Sequence, residues 1–251
     1  MSEERERTPP RLFVDAPLGA GGNAALSANQ THYLRHVLRR GEGDPVLLFN
    51  GRDGEWRGRI AALGKSSSSA AVETQTRRPE AEPDVWLLFA PIKRGPVDLV
   101  AEKATELGVA ALLPVITRRT VVGRVNTERL RAIAMESAEQ CHRLNVPEVR
   151  EARTLTQVLS TWPDGRRLLL CDETGQGRPI GQVLGSLDTA ARRGPWAILV
   201  GPEGGFDPAE LDAIKKQTIV TPVTLGRRLL RAETAAMAAL ACWQSLVGDW
   251  T

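Results

Sequence analysis

The sequence predicts an α/β protein with a largely parallel sheet, preceded by a smaller, mostly β module. Three observations carry this expectation. Apolar runs alternate with helical patterns from residue 85 to the end, as in βαβ folds. Before that point the pattern is of short strands and one short helix. Between the two lies KSSSSAAVETQTRRPEAEPD (65–84), a serine run that passes through a possible short strand into a Pro/Glu-rich stretch, read as a linker. Two domains, 1–78 and 79–251, suit a chain of 251 residues.

In the first module, RLFVD (11–15) and PVLLFNG (45–51) read as strands, and EWRGRIAAL (55–63) as a third. Arg52-Asp53-Gly54 supplies the hairpin turn. THYLRHVLRR (31–40) reads as a helix, with Tyr33, Leu34, Val37 and Leu38 on one face.

The second module opens with VWLLFAPI (85–92), then a helix over PVDLVAEKATELG and the strand ALLPVI. A helix follows over NTERLRAIAMESAEQCHR, which Asn126 caps. VPEVRE, a helix at LTQVLSTW, the strand RRLLLCDE, a helix at PIGQVLGSL and the strand WAILVG come next. Asp207-Pro208-Ala209-Glu210 combines an N-cap, a proline at the first helical position and a carboxylate three residues on. PVTLG and a long helix from about Leu230 close the chain.

Composition narrows the partners. Hydrophobic content of 42% and charged content of 25% are ordinary for a globular protein, and no apolar run is long enough for a membrane helix. MSEERERTPP has no apolar core, so neither a secretory signal nor an anchor is expected there; it reads as a frayed tail. Cys141, Cys171 and Cys242 are scattered and lack CxxC spacing, which points to a reducing cytoplasm and away from disulfides or zinc. His32 and His36 are i, i+4 neighbours, but nothing supplies a third metal ligand, and they read as helix-surface side chains. The net charge of +3 permits an anionic partner, and 28 of the 33 basic residues are arginines.

The segment that carries most chemistry is VGPEGGF (200–206). It matches neither GxGxxG nor a P-loop, and Glu203 would repel a phosphate. A glycine turn of this kind suits a ligand without phosphate that approaches the backbone closely, such as S-adenosylmethionine with its positive sulfonium. The plainer reading is a tight strand–helix turn whose Glu203 faces water. Ligands collect beyond the carboxyl ends of strands in such sheets. CDETG (171–175) and LGRRLLRAETAAMAAL (225–240) occupy equivalent places after their own strands. Arg227, Arg228 and Arg231 fall near a helix start, where the macrodipole disfavours cations.

VGPEGGF together with LGRRLLRAETA resembles the RsmE family, 16S rRNA uracil-N3 methyltransferases of the knotted SPOUT class. RLFVD with THYLRHVLR is similar to that family's amino-terminal module, and DLVAEKATELGVAALLPVITRRTVV and AEQCHRLNVPEV match its central segments in order. The resemblance implies a PUA-like β-barrel, an α/β domain with a deep trefoil knot, a homodimer, and action on 16S rRNA of the small ribosomal subunit. It implies adenosylmethionine contacts from Leu170 and Glu173, from Val200, Gly201 and Gly204, and from Leu225, Gly226, Leu230 and Thr234.

For transfer to uridine N3, Glu203 or Glu233 is the candidate base, and Arg231 the candidate stabiliser of the uracil anion. Glu203 is expected either to handle that proton or to hold the turn's shape. RNA contacts are expected from Arg11, Arg35, Arg39, Arg57 and Arg143. Cys141-His142 departs from the family's serine and small residue, and Cys141 is expected to be a packed thiol. Two further readings share these motifs: a ribose 2′-O methyltransferase of the same class, and a non-catalytic RNA-binding assembly factor.

Overall fold

The computed structural model describes residues 8–64, 67–91, 94–121 and 123–250. Residues 1–7 of the charged amino-terminal segment, with Lys65, Ser66, Ile92 and Val122 of the readings above, lie outside them. The chain forms two compact units. One combines the chain up to Ala81 with Ala138–Val146; the other combines Glu82–Ser137 with the chain from Pro147.

The first unit contains β1 (Arg11–Phe13), β2 (Asn23–Leu26), β3 (Pro45–Asn50), β4 (Gly54–Leu63) and β5 (Ser68–Arg77). Their order is β1-β3-β4-β5-β2, antiparallel except for β1 on β3. Leu12, Leu26, Leu48, Ile60 and Val72, one from each strand, share one core. Register shifts at Glu55/Trp56, Arg57/Gly58 and Ile60/Ala62 bend β4 against β5. The result is a rolled sheet whose hydrogen-bonded ladder, among the described residues, stays open between β1 and β2.

Two expectations fail here. Half of the stretch read as a linker is β5, so the possible short strand within it is a ten-residue strand paired on both edges. Ser68, Ala70 and Val72 alternate inward, but with side chains too small to register as an apolar pattern. The short helix also begins earlier. Ser27 and Gln30 form a capping box for α1 (Ala28–His32), which continues as a π-helical turn over Tyr33–Val37.

The second unit is a parallel sheet flanked by helices. Its elements are β6 (Val85–Phe89), α2 (Arg94–Glu106), β7 (Ala111–Ile116), α3 (Thr127–Gln140), β8 (Glu148–Val149), β9 (Arg153–Thr154), α4 (Leu155–Ser160) and β10 (Arg167–Cys171). Then follow β11 (Arg178–Pro179), α5 (Ile180–Gly185), α6 (Thr189–Arg193), β12 (Trp196–Val200), α7 (Pro208–Lys215), β13 (Val220–Thr224) and α8 (Ala232–Leu246). The order is β11-β13-β10-β12-β6-β7-β8, with β9 on the end of β7. β12 is buried at every position, as a central parallel strand should be. Asn126 caps α3 as expected, accepting from the Arg129 N–H at 3.0 Å.

Candidate functional site

The three turns singled out in the sequence leave β13, β10 and β12, which are adjacent and parallel. Leu170 lies opposite Leu199 on one side, and Cys171 opposite Val223 on the other. Their carboxyl ends therefore open side by side, where an α/β sheet places its ligand crevice. Leu170 and Val200 are buried at the strand ends, whereas Gly204 and Gly226 are exposed.

The turn after β10 braces the turn after β12. Glu173 Oε1 accepts the Phe206 N–H at 2.8 Å, and Gly205 folds over this carboxylate with a left-handed φ of 68°. A Cβ at Gly201 would lie 2.6 Å from the Phe206 ring, so packing against that ring already requires glycine there. Gly204 is different: space opens where its Cβ would be. Glu203 is exposed, and among the described residues it has no hydrogen-bond or ion-pair partner. The side chain that holds the turn's shape is Glu173. An exposed Glu173→Ala variant should fold normally yet bind cofactor about tenfold more weakly, through one lost charge-assisted hydrogen bond; unchanged affinity in calorimetry would remove the brace from the account.

Asp172, with its side chain fully buried, fixes the base of the same turn. Its Oδ1 accepts the Thr174 N–H at 3.0 Å and hydroxyl at 2.7 Å, and its Oδ2 pairs with Lys215 Nζ at 2.7 Å. Burial opposes the charge, but Lys215 and Thr174 outweigh it and hold the carboxyl below the usual aspartate range. A depressed pKa stabilises the fold above the unfolded value, about 3.9, and the contribution is lost as pH falls through the folded one. Lys215→Met should therefore lower the melting temperature at neutral pH and flatten its decline in acid.

Sequence reasoning missed two arginines from the loop after β7. Arg119 Nη1 donates to the Gly204 carbonyl at 3.0 Å, and Arg118 Nη1 pairs with Asp207 at 2.9 Å. Asp207 is the N-cap of α7, accepting from Ala209 and Glu210 N–H groups. Glu210 does not close a capping box; its carboxylate accepts the Arg118 N–H at 3.2 Å. Burial, offset only in part by Arg118, raises its pKa. The dipeptide Arg118-Arg119 stood in the sequence, but its partners lie 85 to 92 residues away.

In the third turn, Thr224 Oγ1 lies 3.4 Å from the Gly226 N–H, and Gly226 has φ 111°. Leu225 and Leu230 are half-buried. α8 begins only at Ala232, so Arg227 and Arg228 lie in the turn and Arg231 is the N-cap, without a side-chain capping bond. Its backbone carbonyl accepts the Ala235 N–H, which leaves the exposed guanidinium outside the helix. Glu233 is half-buried in the first turn of α8, and Thr234 is exposed beside it.

The expected RNA-facing arginines divide. Arg35, Arg39 and Arg57 are exposed on the first unit. Arg11 is not: it is buried, pairs with Glu55 at 2.5 Å, and donates to the carbonyls of Ala138, Glu139 and Arg143. With its guanidinium 3.9 Å from the Phe49 ring centre as well, it holds structure and offers nothing to RNA. Arg143 is also buried and leaves the proposed RNA face with it. Cys141 is half-buried rather than packed in the core. The buried thiol is Cys171, whose pKa burial pushes up to about 12, so it is not a nucleophile.

Residues 79–244 match a family model described as an RNA methyltransferase domain, and residues 26–73 match an RNA methyltransferase PUA domain. The chain belongs to this RNA methyltransferase family. Among its members, it is similar to ribosomal RNA small subunit methyltransferase E of Rickettsia conorii, 32% identical over 92% of this chain and 93% of the relative. The protein of that name from Bacillus subtilis is 28% identical over 86% and 87%. A crystal structure of the Neisseria gonorrhoeae methyltransferase E bound to S-adenosylmethionine superposes with a TM-score of 0.84 at 29% identity, covering 97% of this chain and 100% of that one. A Legionella pneumophila methyltransferase in complex with the same cofactor gives 0.84 at 26% identity, covering 96% and 99%. This methyltransferase thus shares fold and domain order with relatives that hold adenosylmethionine.

Proposed function

We propose that the protein transfers a methyl group from S-adenosylmethionine to N3 of a uridine in 16S rRNA, working as a homodimer with a knotted cofactor domain. One observation supports the site above all: the three turns stand side by side at the ends of β13, β10 and β12, with Glu173 of the middle turn bracing the one after β12. The residues fit the cofactor. Gly204 and Gly226 leave open space at the backbone, and the carboxylates of Glu203 and Glu233 suit a positive sulfur.

Adenosylmethionine, when bound, supplies an electrophilic methyl group on its sulfonium. The chain's part is to place the uracil in line with that methyl and to manage the N3 proton. Leu170, Val200, Gly201, Leu225, Leu230 and Thr234 form the rest of the cofactor wall in this reading. Glu233, half-buried at the start of α8 beside Arg231, is the candidate base in this reading, with exposed Glu203 the alternative. Arg231 offers its guanidinium to the uracil oxygens as negative charge develops. Arg35, Arg39 and Arg57 hold the RNA backbone.

The reading is tested by calorimetry with adenosylmethionine, followed by methylation of unmodified small subunits and of naked RNA, with nuclease digestion and nucleoside identification. N3-methyluridine is expected. A 2′-O-methylated product would move the protein to ribose chemistry, and absence of cofactor binding with and without RNA would leave only an assembly factor. Sedimentation at micromolar concentration tests the dimer.

A further inference from the structure

A fourth turn, the one after β7, touches the segment read as the cofactor turn. Thr117, buried at the end of that strand, closes a tight turn with Thr120. Its N–H donates to the Thr120 hydroxyl at 2.9 Å, and its carbonyl accepts the Thr120 N–H at 3.1 Å. Arg118 and Arg119 form the tip. β6 lies between β7 and β12 in the sheet, so this tip reaches past the end of β6 to the segment after β12. Arg118 fastens it there, through its N–H to Glu210 and its guanidinium to Asp207. Arg119 is thereby aimed at the Gly204 carbonyl, 3.0 Å away.

That bond fixes a peptide which has glycine on both sides, so no Cβ limits its rotation. Its N–H, on Gly205, donates to the Pro202 carbonyl at 2.8 Å, and its carbonyl takes Arg119. The next peptide is held by Glu173 through the Phe206 N–H. Two consecutive peptides are thus pinned from three directions. Among the described residues, the N–H groups of Glu203 and Gly204 have no partner and stay available to a ligand. Gly204 adds open space where its Cβ would be.

We propose that Arg119 is a positioning residue for the methyl donor. It sets the Gly204–Gly205 peptide, and through it the free N–H groups of Glu203 and Gly204, against adenosylmethionine. This role rests on the methyltransferase reading. Arg119 acts on the backbone and not on the sulfonium, so its effect should be equal for adenosylmethionine and for the demethylated product, S-adenosylhomocysteine, whose sulfur is uncharged.

Calorimetry of the full-length wild type, Arg119→Ala and Arg119→Lys with each of the two ligands tests this. Arg119→Ala should bind both about tenfold more weakly, the effect of losing one charge-assisted hydrogen bond. Arg119→Lys keeps a donor and should recover part of the loss. Because the side chain is exposed, the melting temperature should not move. In turnover the loss should fall on KM for adenosylmethionine, with kcat at saturating cofactor and the salt slope of binding to naked 16S rRNA unchanged.

Equal cofactor affinity in the wild type and Arg119→Ala overturns the proposal. Weaker RNA binding with a shallower salt slope and intact cofactor binding overturns it as well, and makes Arg119 a phosphate contact. Tighter binding of adenosylmethionine alone would show a charge effect on the sulfonium and sink the backbone role. A loss that tracks a lowered melting temperature and is not relieved by lysine would make the residue merely structural. A wild type that binds neither ligand, with and without RNA, removes the methyltransferase reading and this role with it; a wild type that binds no better than Arg119→Ala removes this role alone.

Discussion

An Arg11→Ala variant is expected to lose about 3–5 kcal/mol of stability, the range for breaking a buried ion pair from one side. Arg11 and Glu55 are 5% and 7% exposed at their side chains. Removing the guanidinium strands a buried carboxylate whose remaining partner is the Thr76 hydroxyl, 2.9 Å away, and it leaves the Ala138 and Arg143 carbonyls without their donor. Urea denaturation followed by tryptophan fluorescence measures the loss. The companion variant is Arg11→Met/Glu55→Leu, which removes both charges and should recover part of the stability. If the single variant melts like the wild type, the pair contributes no more than a surface bridge.

The second large effect falls on turnover. Arg231→Ala should reduce kcat by about 10²–10³, the usual range for one preorganised donor to a developing anion, and leave adenosylmethionine affinity nearly unchanged. Because Arg231 is exposed and makes no side-chain cap to α8, its loss should not touch folding. Single-turnover kinetics at saturating cofactor and RNA isolate the chemical step. A variant with normal kcat and a raised KM for RNA would place Arg231 among the backbone contacts instead, with a salt slope to match.

The parallel architecture was readable because buried strands such as WAILV and RLLLC are continuous apolar runs punctuated by glycine and polar turns. Asn23–Leu26 escaped notice and Ser68–Arg77 read only as a possible short strand, because much of what they bury is alanine and serine, whose alternation carries little hydrophobic contrast. The site divides in the same manner. GPEGG, CDETG and LGRRLLRAET were visible as local patterns, and the sheet brings them together. Glu173 as a brace, Arg119 on Gly204 and Lys215 on Asp172 were not visible, because each depends on a partner about thirty residues away or more. Arg11 shows the limit most clearly: a charged residue in a strand reads as surface until the fold supplies Glu55 and three carbonyls.

The first unit is discontinuous, and this bears on how the protein can be made. Phe49 is fully buried in a cluster with Ala138 and Leu144, and Arg11 finds its carbonyl acceptors at Ala138, Glu139 and Arg143. During synthesis these partners leave the ribosome some ninety residues after Phe49, at roughly 5–20 residues per second. For those seconds the sheet is complete in its strands but open at Phe49, with Arg11 paired to Glu55 but lacking its three carbonyl acceptors. A chain cut at the end of β5 would be held in that state permanently, so dissecting this protein into its two halves at that point yields an unfinished first unit.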